Sequence, residues 1–598
     1  MFHQVWQRRL VILLAFVFTI SCSACGSPLT QASGLILPTP SNPQTFNYPL
    51  NQSAYSVFGF LYEGLLNENG KTGELEPALA ESWEVGDGGK KITFTLREGL
   101  QWSDGHPLTA DDVIFSYQGV YLNDDIPTSF KDILRIGQSR SLPQVKKIDD
   151  RRVEFSVQEP FAPFIRYMSG IYILPAHKLK SAVESKSPQG EPQFLTLWGT
   201  DTNPQEIVGN GQYRMVSYTP NQRVIFERNP YFWRRDDQGN PQPYIDKVVF
   251  QIIENTDNQL LNFRSGYLDT LDVKPEAFQI LKREEDRGKY TIYNAGPDSS
   301  TIFISFNLNK GKDTQGKPFV NPIKSRWFNN KLFRQAIAYG INREVMKNNV
   351  YRGLGDLQHS PLPVFSPFYL SPEEGLKTYE YNPEKSQQLL QQAGFKCANG
   401  QPLDSARFVC GNSQLLDDQG NRVQFTLLAS AGNKIREEMS AQIKQDLGKL
   451  GIQVDPWSLS FNTYVERLRD TRDWDAYLGG FTGGGVEPHG GYNIWSVNGT
   501  LHTFNQGKQP GESDIVGWQV ADWEQEIDDL YIKASQELNE EKRKELYGQA
   551  QQIIAEQLPF IYMVNPLSFV AIRDRVEGIN YSPIGGFLWN LYELRLTE

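Results

Sequence analysis

Pro77-Ala78-Leu79-Ala80-Glu81-Ser82-Trp83, Lys91-Ile92-Thr93-Phe94-Thr95-Leu96-Arg97-Glu98-Gly99 and Trp102-Ser103-Asp104-Gly105-His106-Pro107-Leu108-Thr109-Ala110-Asp111-Asp112-Val113-Ile114-Phe115-Ser116-Tyr117 follow one another near the front of the chain. Ile92, Phe94 and Leu96 alternate with Thr93 and Thr95, the period-2 pattern of a half-buried strand, and Gly99 stops it. Ser103-Asp104-Gly105 has the composition of a tight turn, since Asp bonds its own backbone and Gly tolerates positive φ. Thr109 is expected to cap a helix that carries Asp111 and Asp112 in its positive first turn, followed by Val113, Phe115 and Tyr117.

Outward from this run, Leu35-Ile36-Leu37 starts a strand, and Val153, Phe155 and Val157 alternate as another. Val208-Gly209-Asn210-Gly211-Gln212-Tyr213 is a glycine turn into a strand, and no phosphate loop, because no helix-opening Lys-Ser/Thr follows. Past about residue 270 the pattern becomes more helical. Asn330 is placed to cap a helix with Leu332, Phe333, Ala336 and Ile337, and Asn382-Pro383 opens another that Gly394 ends. Ile435, Met439, Ile443 and Leu447 recur every four residues up to Gly451, and Trp523, Ile527, Leu530 and Ala534 form one more apolar stripe.

The opening strand–turn–helix run resembles the signature of the extracytoplasmic solute-binding proteins of ABC importers, in the oligopeptide, dipeptide and nickel group (family 5). Tyr62-Glu63-Gly64-Leu65, Glu227-Arg228-Asn229-Pro230-Tyr231-Phe232-Trp233 and Arg334-Gln335-Ala336-Ile337-Ala338-Tyr339-Gly340-Ile341-Asn342-Arg343 extend the resemblance over nearly all of the mature chain. It implies an α/β, two-lobed periplasmic-binding-protein fold of class II-like type, with an extra subdomain inserted in the first lobe. The limits it implies are a signal peptide at 1–24, lobe I from 26–49, 186–270 and 560–598, the insertion at 50–185, and lobe II at 271–559. It also implies a monomeric receptor without a cofactor, which closes on a solute and delivers it to a membrane permease.

Composition agrees with a large water-facing protein. At 598 residues the chain exceeds one core. Twelve Trp, 27 Tyr and 34 Phe make it rich in rings, which suits pockets that clamp flexible solutes. A net charge of −11 argues against nucleic acid as partner.

The N-terminus reads as a targeting segment. Arg8-Arg9 precedes an apolar run, Leu10 to Ile20, too short to span a bilayer. Ser23-Ala24-Cys25-Gly26 resembles a lipobox, with Cys25 as the lipidated residue and Cys22 as the alternative. Export makes the compartment oxidising, so Cys397 and Cys410, around Asn399-Gly400 and Pro402, are expected to form a disulfide worth roughly 3 kcal/mol. No metal site is expected, because the six His are scattered.

The informative place for chemistry is Tyr477-Leu478-Gly479-Gly480-Phe481-Thr482-Gly483-Gly484-Gly485-Val486-Glu487-Pro488-His489. Glycines let a backbone approach a ligand closely. In peptide-binding relatives this loop carries an aspartate that pairs with the peptide α-amino group, and that position is Gly484 here. Phe481, Thr482, Gly483, Gly484 and Glu487 are therefore expected at the solute, with Glu487 as a substitute carboxylate. Tyr492, Trp495 and Trp589, the last close to Phe587, are aromatic candidates for the same cleft. The missing charge leaves two readings open: a peptide-like solute, or a solute without a free amine, such as an oligosaccharide or metal chelate. A secreted hydrolase of glycans is the competing class. It needs two carboxylates across the scissile bond, and neither Gly-x-Ser-x-Gly nor His-Glu-x-x-His is present.

Overall fold

The structure, a computed structural model, describes residues 34–50, 57–128, 130–137, 139–398, 410, 413–482, 485–509 and 512–597. The expected signal peptide, Cys22, Cys25, Gly483 and Gly484 lie outside the described residues. Among those described, no helix is long and apolar enough to cross a membrane.

Mixed sheets organise the chain. In the first, Leu35–Thr39 runs parallel to Lys247–Ile252, and Arg223–Arg228 and Tyr213–Thr219 continue the sheet antiparallel. The second is antiparallel throughout, in the order Ala80–Gly86, Lys91–Leu96, Arg152–Ser156, Gln144–Lys147. The third has five strands, in the order Gln453–Leu459, Gln424–Ser430, Ala476–Phe481, Thr301–Phe306, Phe560–Tyr562. Its first three strands are parallel, and their connections carry the helix Lys434–Lys449. Met439, Ile443 and Leu447 of that helix are buried, as the four-residue spacing predicts.

Burial divides accordingly into two large cores. One gathers residues between Leu35 and Phe250 and is completed by Val570 to Leu594. The antiparallel sheet around Lys91–Leu96 adds its buried face to that same core. The other core runs from Ile302 to Val564. Between them the chain crosses on the antiparallel strands Tyr290–Pro297 and Val564–Arg573, with an irregularity of register between Asn294 and Pro297. Phe560–Tyr562 pairs with Thr301–Phe306 in the second core's sheet, and the next strand starts at Val564.

The opening motif is scaffold. Thr109 makes a full capping box with Asp112, while Trp102 is wholly buried. The Ser103 amide donates to the Gly209 carbonyl at 2.8 Å, and the Gly209 amide donates back to Ser103 Oγ at 3.2 Å. Any Cβ on Gly209 would fall 2.1 Å from the Leu61 carbonyl oxygen, so the turn requires glycine there. Likewise the Trp233 indole donates to Glu63 at 2.7 Å, joining two of the sequence matches in space.

Candidate functional site

The strand Ala476–Phe481 pairs antiparallel with Thr301–Phe306, which sets Phe481 beside Thr301 and Gly479 beside Phe303. A Cβ on Gly480 would come within 2.3 Å of the Thr301 carbonyl oxygen and 2.8 Å of the Arg436 guanidinium. The first glycines of the loop therefore serve tight packing of the strand. Gly485, by contrast, has no side chain pressed against it and opens onto a cavity.

That cavity, about 690 Å³, lies where the two bodies face each other, a volume within the range of small-molecule sites. The first body contributes Phe130, Arg166, Tyr167 and Ile171. The second contributes, among others, Phe303, Tyr464, Tyr477, Phe481 and Trp495. Rings and aliphatic groups dominate the wall. Burial holds the Tyr477 hydroxyl protonated, and it shares a 2.6 Å hydrogen bond with Thr503. The bodies also touch beside the cavity. The Ala162 amide donates to the Ser535 carbonyl at 2.7 Å, Gln536 Nε2 donates to Glu159 at 2.6 Å, and the Phe161 ring meets His489 edge-on at 5.0 Å.

Four charged side chains line the cavity: Glu68, Arg166, Arg469 and Glu487. Arg166 pairs with Glu68 at 2.9 Å and donates to the Gly73 carbonyl at 2.6 Å. Glu487 receives Arg543 Nη2 on both oxygens, at 2.7 and 2.8 Å, and the Tyr547 hydroxyl at 3.3 Å. Burial opposes the Arg543 charge, but Glu487 and Tyr547 beside it outweigh that and raise its pKa. Arg469 has no ion-pair partner among the described residues.

Residues 74–501 match the family model described as bacterial extracellular solute-binding proteins, family 5 (middle region). The chain belongs to that family. Among relatives of this family 5 protein, the probable ABC transporter-binding protein of Deinococcus radiodurans is 29% identical over 89% of this chain and 85% of its own. The oligopeptide-binding protein AppA of Bacillus subtilis is 24% identical over 96% of this chain and 95% of its own. The fold is shared with NikA of Brucella suis, solved in complex with Fe(III)-EDTA, at a TM-score of 0.72 and 18% identity, covering 94% of this chain and 99% of that one.

Of the residues singled out in the sequence of this family 5 protein, Phe481, Thr482, Glu487 and Trp495 line the cavity together. Glu487 does so with its charge already matched by Arg543, and its carboxylate also accepts the His489 backbone amide at 3.1 Å. Tyr492 stands behind the wall. Its ring stacks on His489 at 4.8 Å, and its hydroxyl donates to Asp528 at 2.5 Å. Trp589 is outside the lining as well: its indole donates to the Asn580 carbonyl at 2.6 Å and its ring fills the space against Gly70 and Gly585. Phe587 packs on the first core. Sequence reasoning missed Arg166, Tyr167 and Arg469, which sit in no motif. Only the fold brings residues 166 and 469 to one cavity.

Proposed function

We propose that this family 5 protein is the lipid-anchored, extracytoplasmic receptor of an ABC importer, which encloses a peptide-like solute between its lobes by hinge closure and hands it to a membrane permease. The observation that carries this reading is the cavity of about 690 Å³ walled by both bodies, whose cores are joined by the paired strands Tyr290–Pro297 and Val564–Arg573. A ligand touching both bodies at once stabilises the closed population. The strand pair is the hinge of this reading, and its irregular register at Asn294 to Pro297 is where bending concentrates. Lobe I is built from 26–49 and 186–270 with the insertion 50–185, lobe II from 271 through the strand Phe560–Tyr562, and the remaining C-terminal residues complete lobe I.

Peptide-like character draws support from the Bacillus relative named for oligopeptide binding and from the apolar, ring-rich wall, which suits side chains of varied shape. Transfer of a lipid to the thiol of Cys25, or alternatively of Cys22, with cleavage just before that residue, supplies the anchor. Native mass spectrometry of protein purified without denaturation tests the reading. One solute per chain, released on unfolding, is the expected result. A protein that carries no solute, and whose thermal stability no solute raises, contradicts it.

A further inference from the structure

The four charges that line the cavity balance, two of each sign, but they are not all paired. The charged side chains of its wall among the described residues are Arg166, Arg469, Glu68 and Glu487. Each carboxylate is already matched, to Arg166 and to Arg543. Arg436 lies just behind the wall: it donates to the Leu478 carbonyl at 3.0 Å, its guanidinium abuts Gly480, and it has no carboxylate partner among the described residues. Arg469 is solvent-exposed at the cavity edge, on the π-helical segment Arg467–Thr471 that continues the helix Phe461–Glu466, and its charge acts on the Tyr477 hydroxyl inside. The loop residues outside the described set are Gly483 and Gly484, which add no charge.

An ammonium enclosed here would meet one lining guanidinium without an ion-pair partner, Arg469, and, among the described residues of the lining, only carboxylates that are already paired. A buried charge without a partner is strongly disfavoured. An anionic group would gain a charge-assisted, bidentate-capable partner. We propose that the solute is an organic acid in character, an apolar or aromatic body bearing a carboxylate or comparable anionic group and no ammonium, with Arg469 as the cation that selects it. This rests on the receptor reading above and narrows its solute class.

The test is a thermal-shift and calorimetric comparison on the full chain. The probes are N-acetylated di- to tetrapeptides rich in Phe and Leu, each with its C-terminal carboxamide and its unacetylated counterpart. The expected result is that acetylated acids bind, that amides and free amines bind at least thirty-fold more weakly, and that Arg469→Gln reduces the acid preference to threefold or less. Arg436→Gln, set back from the cavity, lowers it less. Free-amine peptides binding as tightly as acetylated acids, or an acid preference unchanged in Arg469→Gln, would overturn the assignment and leave the receptor reading intact. If no probe binds, the solute released from natively purified protein is treated with amine- and carboxyl-selective reagents. Carboxyl reactivity alone supports the proposal and amine reactivity overturns it. A protein that holds no solute and binds none contradicts the receptor reading itself, and the inference falls with it.

Discussion

Arg543 presents a single nitrogen, Nη2, to both oxygens of Glu487, at 2.7 and 2.8 Å, and the two side chains are 9% and 6% exposed. The pair fastens the loop that ends the strand Ala476–Phe481 to the helix Glu540–Gln557. Removing one partner strands a buried charge. Arg543→Leu is expected to lower unfolding free energy by about 3–5 kcal/mol, whereas the double variant Glu487→Gln/Arg543→Met recovers most of that loss. Urea denaturation of the three proteins measures it. Equal losses in the single and double variants would show that the pair is not coupled.

Cys397 and Cys410 form a disulfide and are both 2% exposed within the second core. Neither lines the cavity. The double variant Cys397→Ala/Cys410→Ala should therefore be less stable by about 3 kcal/mol, while solute affinity well below the melting temperature stays within twofold. Calorimetry together with titration checks both halves, and an affinity loss beyond tenfold would place the bridge nearer to solute binding than the fold does.

How much of this was legible in advance follows the kind of interaction involved. Local rules carried far: the alternation at Ile92, Phe94 and Leu96, the Thr109 cap and the four-residue spacing through Leu447 all sit where backbone chemistry puts them. The cavity was only half legible. Phe481, Thr482, Glu487 and Trp495 come from one stretch and could be read as a group. Arg166 comes from the first body and Arg469 from the π-helical segment Arg467–Thr471, which has no distinctive composition, so their meeting is a product of the tertiary fold. Trp589 misled for a related reason: an aromatic among glycines looks like a ligand platform, yet here Gly70 and Gly585 are small to admit the indole itself.

His489 yields a pH dependence. Its Nδ1 is sealed from solvent without a hydrogen-bond partner. Burial first, and the Arg543 charge second, push its pKa down to about 3. The groups facing it are Phe161 across the interface, the stacked Tyr492, Arg543, and the Glu487 carboxylate that accepts its backbone amide. If opening withdraws Phe161, the ring's pKa rises toward its ordinary value near 6.5. Below pH 6.5 the open form then takes up a proton that the closed form refuses, so closure is disfavoured progressively from pH 6.5 down to about 3 and is unaffected above 6.5. Solute affinity should fall several-fold between pH 7.5 and 5.5, and His489→Phe should flatten that slope. An identical slope in the variant would assign the pH effect elsewhere.

Anchoring is separable from binding. Cys25→Ser is expected to abolish incorporation of labelled palmitate and to release the protein from membranes, while Cys22→Ser retains both. The reverse pattern would assign the lipid to Cys22, and labelling that survives in both single variants and in the double variant would remove the anchor from the account.

Closure of two bodies on one solute is read out most directly by small-angle X-ray scattering of solute-free protein titrated with the solute recovered from its native preparation. A saturable decrease in radius of gyration at one solute per chain is expected, with scattering at the end point matching the arrangement in which Ala162 and Ser535 are hydrogen bonded. Stoichiometric binding with unchanged scattering would contradict closure.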